Sequence, residues 1–470
     1  MMNRLKAKLL KMNHEELKKG DFYFLFAILL FFFLVDCYSD FIVTYTHGVG
    51  LIEGIVEGKI THIYDYMADY YAMCNGGASY PVAYSITLYL LFSLWNLPVW
   101  IIHKISGIGI YHPLFLFWGK LMLIFFTIMT LSEINKILTV FQVERNKRNM
   151  TVFCFLSSTF FLATLIGCYD LLPLFFMMYA LRVYFEQEEF NFKFLCIMSC
   201  AVSLKLFACL LFVPLLLLKE KRITVICRDV LAVVAPTMIM GILFHHTGEY
   251  AEFVNGMKRG MIDRLWAVDI NGGTGNYPLF VVLFGLLCVF AYWKKCSIKK
   301  ELCYMSLWLG GVAFIIFDTF VQIHPQWLLY GLPFIVMLIA VNKKQFKLQI
   351  LLEMGMSVCI GLYFFLYYWW VYLNTEHMEH LLFGLLPISG KVRDAEYLLT
   401  KGSIQGGMKI IYGLALTCAI AFLVYHYPFK KATVWAQDMQ EEYQMEKGLL
   451  YCRILVLVAY MAVQIGMFFL

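Results

Sequence analysis

Charged side chains are scarce in this sequence. Asp, Glu, Lys and Arg make up 15% of its 470 residues, against about 25% in ordinary soluble domains. That shortage excludes a string of soluble domains. Other absences narrow the field further. The fourteen cysteines contain no CxxC pair and sit mostly in apolar runs, so they read as small packing residues and not as a disulfide framework or a zinc site. No HExxH, P-loop or GxSxG motif is present. No basic face supports nucleic-acid binding. No repeat of about 20–50 residues appears, which excludes a solenoid and the duplicated halves of many transporters.

What fills the chain is apolar. Hydrophobic residues make up 61% and the mean hydropathy is +0.72, the composition of an all-α polytopic membrane protein. Hydropathy predicts about 13 transmembrane helices, within a range of about 11–14. Residues 1–21 are a basic flank expected in the cytoplasm. The apolar run behind them is too long for a signal-peptide core and lacks a small-residue cleavage site, so it reads as an uncleaved span. The expected spans are 22–37, 113–131, 151–168, 171–185, two short helices within 192–218, then 226–245, 277–293, 302–320, 327–341, 351–372, 408–427 and 449–469. Most of the 38 Lys and Arg then fall on the inner side, as the positive-inside rule requires. Residues 38–112 form a first outer loop with surface-lying helices. Within it, Leu51, Ile52, Ile55, Val56 and Ile60 predict an amphipathic interfacial helix over 49–60. Residues 81–102 are long enough to cross, but a crossing would turn Arg145, Lys147 and Arg148 outward. They are expected to stay on the outer side or to re-enter. Further outer loops are expected at 247–276 and 374–407.

The stretch from Phe31 to Leu91 gathers the most chemistry. Asp36 and Asp40 emerge where the first span stops, and an ionisable group there points to function. Either can be a general base toward an acceptor hydroxyl, and Asp36, one helical turn earlier, can raise the pKa of Asp40. A carboxylate in interfacial water or a helix cap is the plainer role. Lys205 interrupts SLKLFACLLFVPLLLL; it reads as a cation facing a phosphate, or as a lysine paired or snorkelling. Asp170 follows Tyr169 on a tight turn between spans, as a cap or a substrate contact. His324, beside Pro325, is a turn residue or a ligand. Arg259 and Arg264, with Lys258, are cations in an outer loop that otherwise has few.

Five segments, in this order and placement, resemble the GT-C superfamily of integral-membrane glycosyltransferases. YSD (Tyr38–Asp40) resembles its acidic residue after span 1. YPVAYSI from Tyr80 resembles its Tyr/Pro-rich opening of a surface helix, and GCYD (Gly167–Asp170) its Gly-x-x-Asp turn. SLKLFACLLFVP (Ser203–Pro214) resembles its lysine between two short helices, and HPQWLLYGLPF (His324–Phe334) a later segment of bacterial members. The resemblance implies a transmembrane catalytic module over 22–345, with 346–470 as additional membrane helices. It implies a polyprenyl-phosphate sugar donor, a lipid or cell-envelope glycan acceptor, and a site on the outer face of the cell membrane. In that frame Asp40 is the base and Lys205 contacts the donor phosphate. Asp170 and Tyr169 line the cavity, and His324, Arg259 and Arg264 are further substrate contacts. No cofactor is implied with certainty, and a divalent metal stays open. The alternative is a transporter or lipid flippase that makes no glycosidic bond.

Overall fold

The structure is a computed structural model. It describes residues 17–77, 80–165, 167–187, 192–273, 275–321, 324–342, 345–367, 378–380, 404–427 and 447–469. Most of the basic N-terminal flank and most of the expected loop 374–407 lie outside the described residues.

The described chain is almost wholly helical. It begins with α1 (Lys19–Val35), a three-residue strand β1 (Asp36–Tyr38), α2 (Ser39–Val56), a short 3-10 turn and α3 (Ile63–Cys74). Then come α4 (Ile86–Ser106), α5 (Pro113–Val140), α6 (Arg145–Leu156), α7 (Thr159–Leu165) and α8 (Leu171–Glu186). These are followed by α9 (Phe192–Leu204), α10 (Ala208–Lys219) and α11 (Ile223–Phe244). A π-helical turn (Tyr250–Val254) leads into α12 (Asn255–Leu265), the hairpin β2 (Asp269–Gly272) and β3 (Gly275–Pro278), α13 (Leu279–Trp293) and α14 (Lys299–Phe320). A 3-10 helix (Pro325–Tyr330) and α15 (Leu332–Val341) precede α16 (Phe346–Tyr367), β4 (Met378–His380), α17 (Ile404–His426) and α18 (Lys447–Phe469).

Among the described residues, six helices are long and apolar enough to cross a membrane: α4, α5, α11, α14, and stretches of α16 and α17. The α11 helix keeps only 11% of its apolar window inside the protein. A helix so apolar and so exposed needs lipid around it. The chain is therefore an all-α, membrane-embedded protein. Shorter apolar helices of 10–17 residues make up much of the rest.

Several expected boundaries shift. The first span stops at Val35, and Asp36 opens a strand antiparallel to Met378–His380. Asp36 and Asp40 are therefore not one helical turn apart, because the chain leaves one helix and re-enters another between them. The amphipathic helix expected over 49–60 is the second half of α2, which ends at Val56. Val49, Leu51, Ile52 and Glu53 are buried where α3 and α4 pack along α2, while Ile55, Val56 and Ile60 stay exposed, so the first half of that apolar face meets protein and the second half is open. The α4 helix follows α2 throughout: Ser93 Oγ donates to the Gly48 carbonyl and Lys104 pairs with Glu53 at 2.6 Å. Beyond its end, the Ile110 carbonyl accepts from Tyr45 Oη at 3.0 Å. These bonds keep α2 and α4 in one layer beside the end of α1.

The expected span 151–168 is two helices with a break between them. Ser157 Oγ donates back to the Phe153 carbonyl, and Ser158 Oγ accepts from the Phe160 N–H. Serine hydroxyls that bond the local backbone compete with the helix ladder. The pair of short helices meeting at Lys205 is found as expected, in α9 and α10. Residues 247–276 hold the π-helical turn, α12 and the hairpin. Tyr250 and Val254 there join Leu51, Tyr64, Met67, Val82 and Tyr89 in a small second core. This core seats that segment on α3 and the start of α4.

The C-terminal helices are bound into the bundle by charge. Arg453 of α18 forms a two-point ion pair with Glu353 of α16, its Nη2 lying 3.0 Å from Oε1. It also donates to Ser157 Oγ at 2.9 Å and to the Cys154 carbonyl at 2.8 Å, at the break between α6 and α7. Glu353→Ala strands a buried guanidinium and should destabilise the protein by about 3–5 kcal/mol. Thermal unfolding of the detergent-purified protein checks this, and Glu353→Met/Arg453→Met should recover most of the loss. An unchanged melting temperature for Glu353→Ala would show the pair to be unimportant.

Candidate functional site: a caged lysine and two carboxylates

Lys205 sits where the helical ladder lapses between α9 and α10. Its ammonium forms an ion pair with Asp170 Oδ1, and the two side chains are only 14% and 2% exposed. Tyr330 donates its hydroxyl to the same oxygen at 2.8 Å. The rings of Phe207, Trp327, Tyr169 and Tyr330 stand 5.2, 5.4, 5.6 and 5.9 Å from the ammonium. Such a cage holds a cation by ring quadrupoles as well as by its counter-charge.

Trp327 also meets two further residues of the site. The Arg264 guanidinium lies 5.4 Å from its ring, and the His324 imidazole meets it edge-on at 5.0 Å. Burial first, and then the positive charges of Arg264 and Lys205, push the His324 pKa down to about 3. The imidazole is therefore neutral at any physiological pH.

Asp170 reaches this cage through Gly167, whose φ is +127°. A Cβ there would stand 3.0 Å from Phe41 Cβ and 3.2 Å from the Tyr38 N–H nitrogen. Glycine thus lets the Cys168–Asp170 turn close onto the start of α2, where Asp40 occupies the first helical turn. That position favours a carboxylate, because the helix dipole is positive there. Asp40 is half-buried. Burial chiefly, reinforced by Asp40 and Asp170 together, holds the Tyr84 and Tyr169 phenols and the Cys168 thiol well above their ordinary pKa values. Tyr84 and Tyr169 meet edge-on with centroids 5.2 Å apart. The two carboxylates thus act on one small group of side chains.

Of the residues singled out in the sequence, the structure gathers Asp40, Tyr169, Asp170, Lys205, Arg264 and His324 around this group. Arg259 is exposed on α12, five residues from Arg264 and so on another face of the helix. Asp36 is placed only by its strand pairing. Among the described residues, no three His, Cys, Asp or Glu side chains converge on a position for a metal.

Sequence reasoning passed over Trp327 and Tyr330, the wall shared by most of these contacts. It also passed over Lys120, fully buried, which donates to the Phe33 carbonyl at the end of α1 and lies 4.8 Å from the Phe33 ring. The signal for Lys120 was present: a lone lysine in FWGKLMLIFF, the same pattern that drew attention to Lys205. No known protein family, curated protein or solved structure matches the chain.

Gly167→Ala forces a side chain into a backbone conformation that disfavours it and should cost about 1–3 kcal/mol; a thermal melt reads this, and a neutral result would mean the turn relaxes freely. His324 gives a pH dependence of definite sign. Its folded pKa of about 3 lies below the unfolded value of 6.5, so the unfolded state takes up the proton first. Stability is full above pH 6.5 and declines as pH falls from there toward 3, by about 2 kcal/mol between pH 7 and 5. The His324→Gln protein should lack that component of the decline, and parallel melting curves of the two proteins would refute the assignment.

Proposed function

We propose that the chain is an inverting glycosyltransferase of GT-C type. It moves a sugar from a polyprenyl-phosphate donor to a lipid or envelope-glycan acceptor. In this reading it crosses the membrane about thirteen times, with the N-terminus cytoplasmic and the Asp40–Asp170 rim on the outer face. The α2–α4 layer then lies along that face. The observation that carries the reading is that a half-buried carboxylate, Asp40, and the Lys205–Asp170 pair both border Tyr84, Tyr169 and Cys168, with the Gly167 turn packed against Tyr38 and Phe41 beside Asp40. A transfer from a phosphate leaving group needs a base on one side of the reacting carbon and positive charge on the other.

The chemistry follows from those positions. The Asp40 carboxylate accepts the proton of the acceptor hydroxyl as its oxygen attacks the anomeric carbon. The bond from that carbon to the phosphate oxygen breaks in the same step, with inversion. The departing polyprenyl phosphate takes the bonding pair. Lys205, and Arg264 beside Trp327, stabilise the charge that develops there. Asp170 and Tyr330 fix the lysine before the donor arrives, so little reorganisation remains for the reaction itself. Anchoring of donor and enzyme in one membrane supplies effective concentration and orientation.

The test is transfer of labelled hexose from a panel of polyprenyl-phosphate sugars in purified membranes. Asp40→Asn keeps the shape of the side chain and should lower transfer by about 10²–10⁴-fold. Lys205→Ala should chiefly impair donor use. Normal transfer by Asp40→Asn removes Asp40 as the base. A wild type that moves solute across vesicles while consuming no donor favours a transporter instead.

A further inference from the structure

The end of α10 farthest from the Lys205 cage carries a surplus of positive charge. That helix begins three residues after Lys205 and runs 12 residues to Lys219, about 18 Å. There residues 219–222 read KEKR and residues 294–301 read KKCSIKKE, seven cations against two carboxylates. The two segments touch. Lys221 Nζ donates to the Ala291 carbonyl at 3.0 Å, and Tyr292 Oη donates to the Lys221 carbonyl at 2.9 Å. Both carboxylates are already engaged, Glu220 with Arg222 and Glu301 with Lys294, each at 2.8 Å. Lys221, Lys295 and Lys299 have no carboxylate in ion-pair reach among the described residues. Burial first, with repulsion from Lys295, holds the Lys221 ammonium, in the turn between α10 and α11, below its ordinary pKa.

The surfaces that meet this charge are apolar. The α11 helix starts at Ile223, the residue after Arg222, and α13 stops at Trp293, the residue before Lys294. Packing of α11 on α9, and of α13 on α10 and α14, leaves each helix an outward face. Leu231, Met238 and Ile242 are exposed on α11, and Val282, Leu286 and Val289 on α13. Trp293, 82% exposed, stands where the apolar face of α13 gives way to the cations. An indole at such a boundary marks the level of lipid headgroups.

We infer that this end of the protein binds an anionic phospholipid, its phosphate held among Lys221, Arg222 and Lys295 and its acyl chains along the exposed faces of α11 and α13. Basic clusters at the ends of membrane helices recognise such headgroups by charge. Here the cations repel one another, and an anion among them relieves that repulsion. A zwitterionic phosphatidylcholine gains the same apolar contact, but its own quaternary ammonium offsets the attraction. A soluble phosphate gains the attraction without the apolar contact. The polyprenyl phosphate of the glycosyl-transfer reading belongs at the other end of α10, so this inference stands or falls independently of that reading.

The test uses the full chain in phosphatidylcholine vesicles and reads tryptophan quenching by brominated lipids. The difference between wild type and Trp293→Phe isolates the signal of Trp293 from the other nine indoles. Brominated phosphatidylglycerol should quench that signal at a mole fraction at least fivefold lower than brominated phosphatidylcholine. Arg222→Gln/Lys295→Gln should reduce this preference to twofold or less. Lys295→Gln alone, a change at an exposed position, should halve it and serves if the double variant does not fold. Lys205→Ala should keep it in full, and millimolar glycerol phosphate should not compete. Equal quenching by the two lipids, or an undiminished preference in the Lys295→Gln proteins, would overturn the proposal. So would a Trp293 signal that no lipid quenches, competition by glycerol phosphate, or loss of the preference in Lys205→Ala.

Discussion

A lysine in an apolar segment has to be neutralised, and the region around Lys205 is built to do it. The ammonium cannot stay inside a continuous helix that buries all round, so the ladder lapses and two short helices meet there. Its counter-charge must come from elsewhere, and Asp170 is delivered by a turn that only glycine at 167 allows. The spare lone pairs of that carboxylate are taken up by Tyr330, which fixes the 3-10 helix. One ion pair thus orders three connections between helices. Those are the connections on which Tyr169, Trp327 and His324 ride.

The same rule is repeated through the bundle. Arg453 is held by Glu353 and by two groups at the α6–α7 break. Glu53 takes both Lys104 and the Trp100 indole N–H, each at 2.6 Å. Tyr451 and Lys447 meet Asp21 at the foot of α1. In a low-dielectric interior a buried charge is strongly destabilising without its partner. These pairs accordingly fix which helix stands beside which more tightly than the interchangeable apolar contacts around them.

How much of this was legible in the sequence depended on whether a signal was local. The membrane class, most helix positions and the break at Lys205 follow from composition and from one charge in an apolar run. The turn at Gly167–Asp170 was visible for the same reason. The burial of 49–53 within the expected 49–60 helix was hidden because Glu53 reads as a solvent-facing position, when Lys104 and Trp100, far along the chain, meet it. The Asp36–Asp40 spacing suggested one helix because strand pairing with residues 378–380 leaves no local mark. Trp327 and Tyr330 looked like two more aromatics in an aromatic-rich chain. Only the fold distinguishes them by placing Lys205 between them.

The pairing of β1 with β4 has a consequence for the order of events during synthesis. The strand that separates Asp36 from Asp40 leaves the ribosome roughly 340 residues before its partner, tens of seconds at the usual elongation rate of about 5–20 residues per second. Through that interval the junction between α1 and α2 has its backbone groups open to other partners. The segment that carries the proposed base is thus among the first to be made and among the last to be completed.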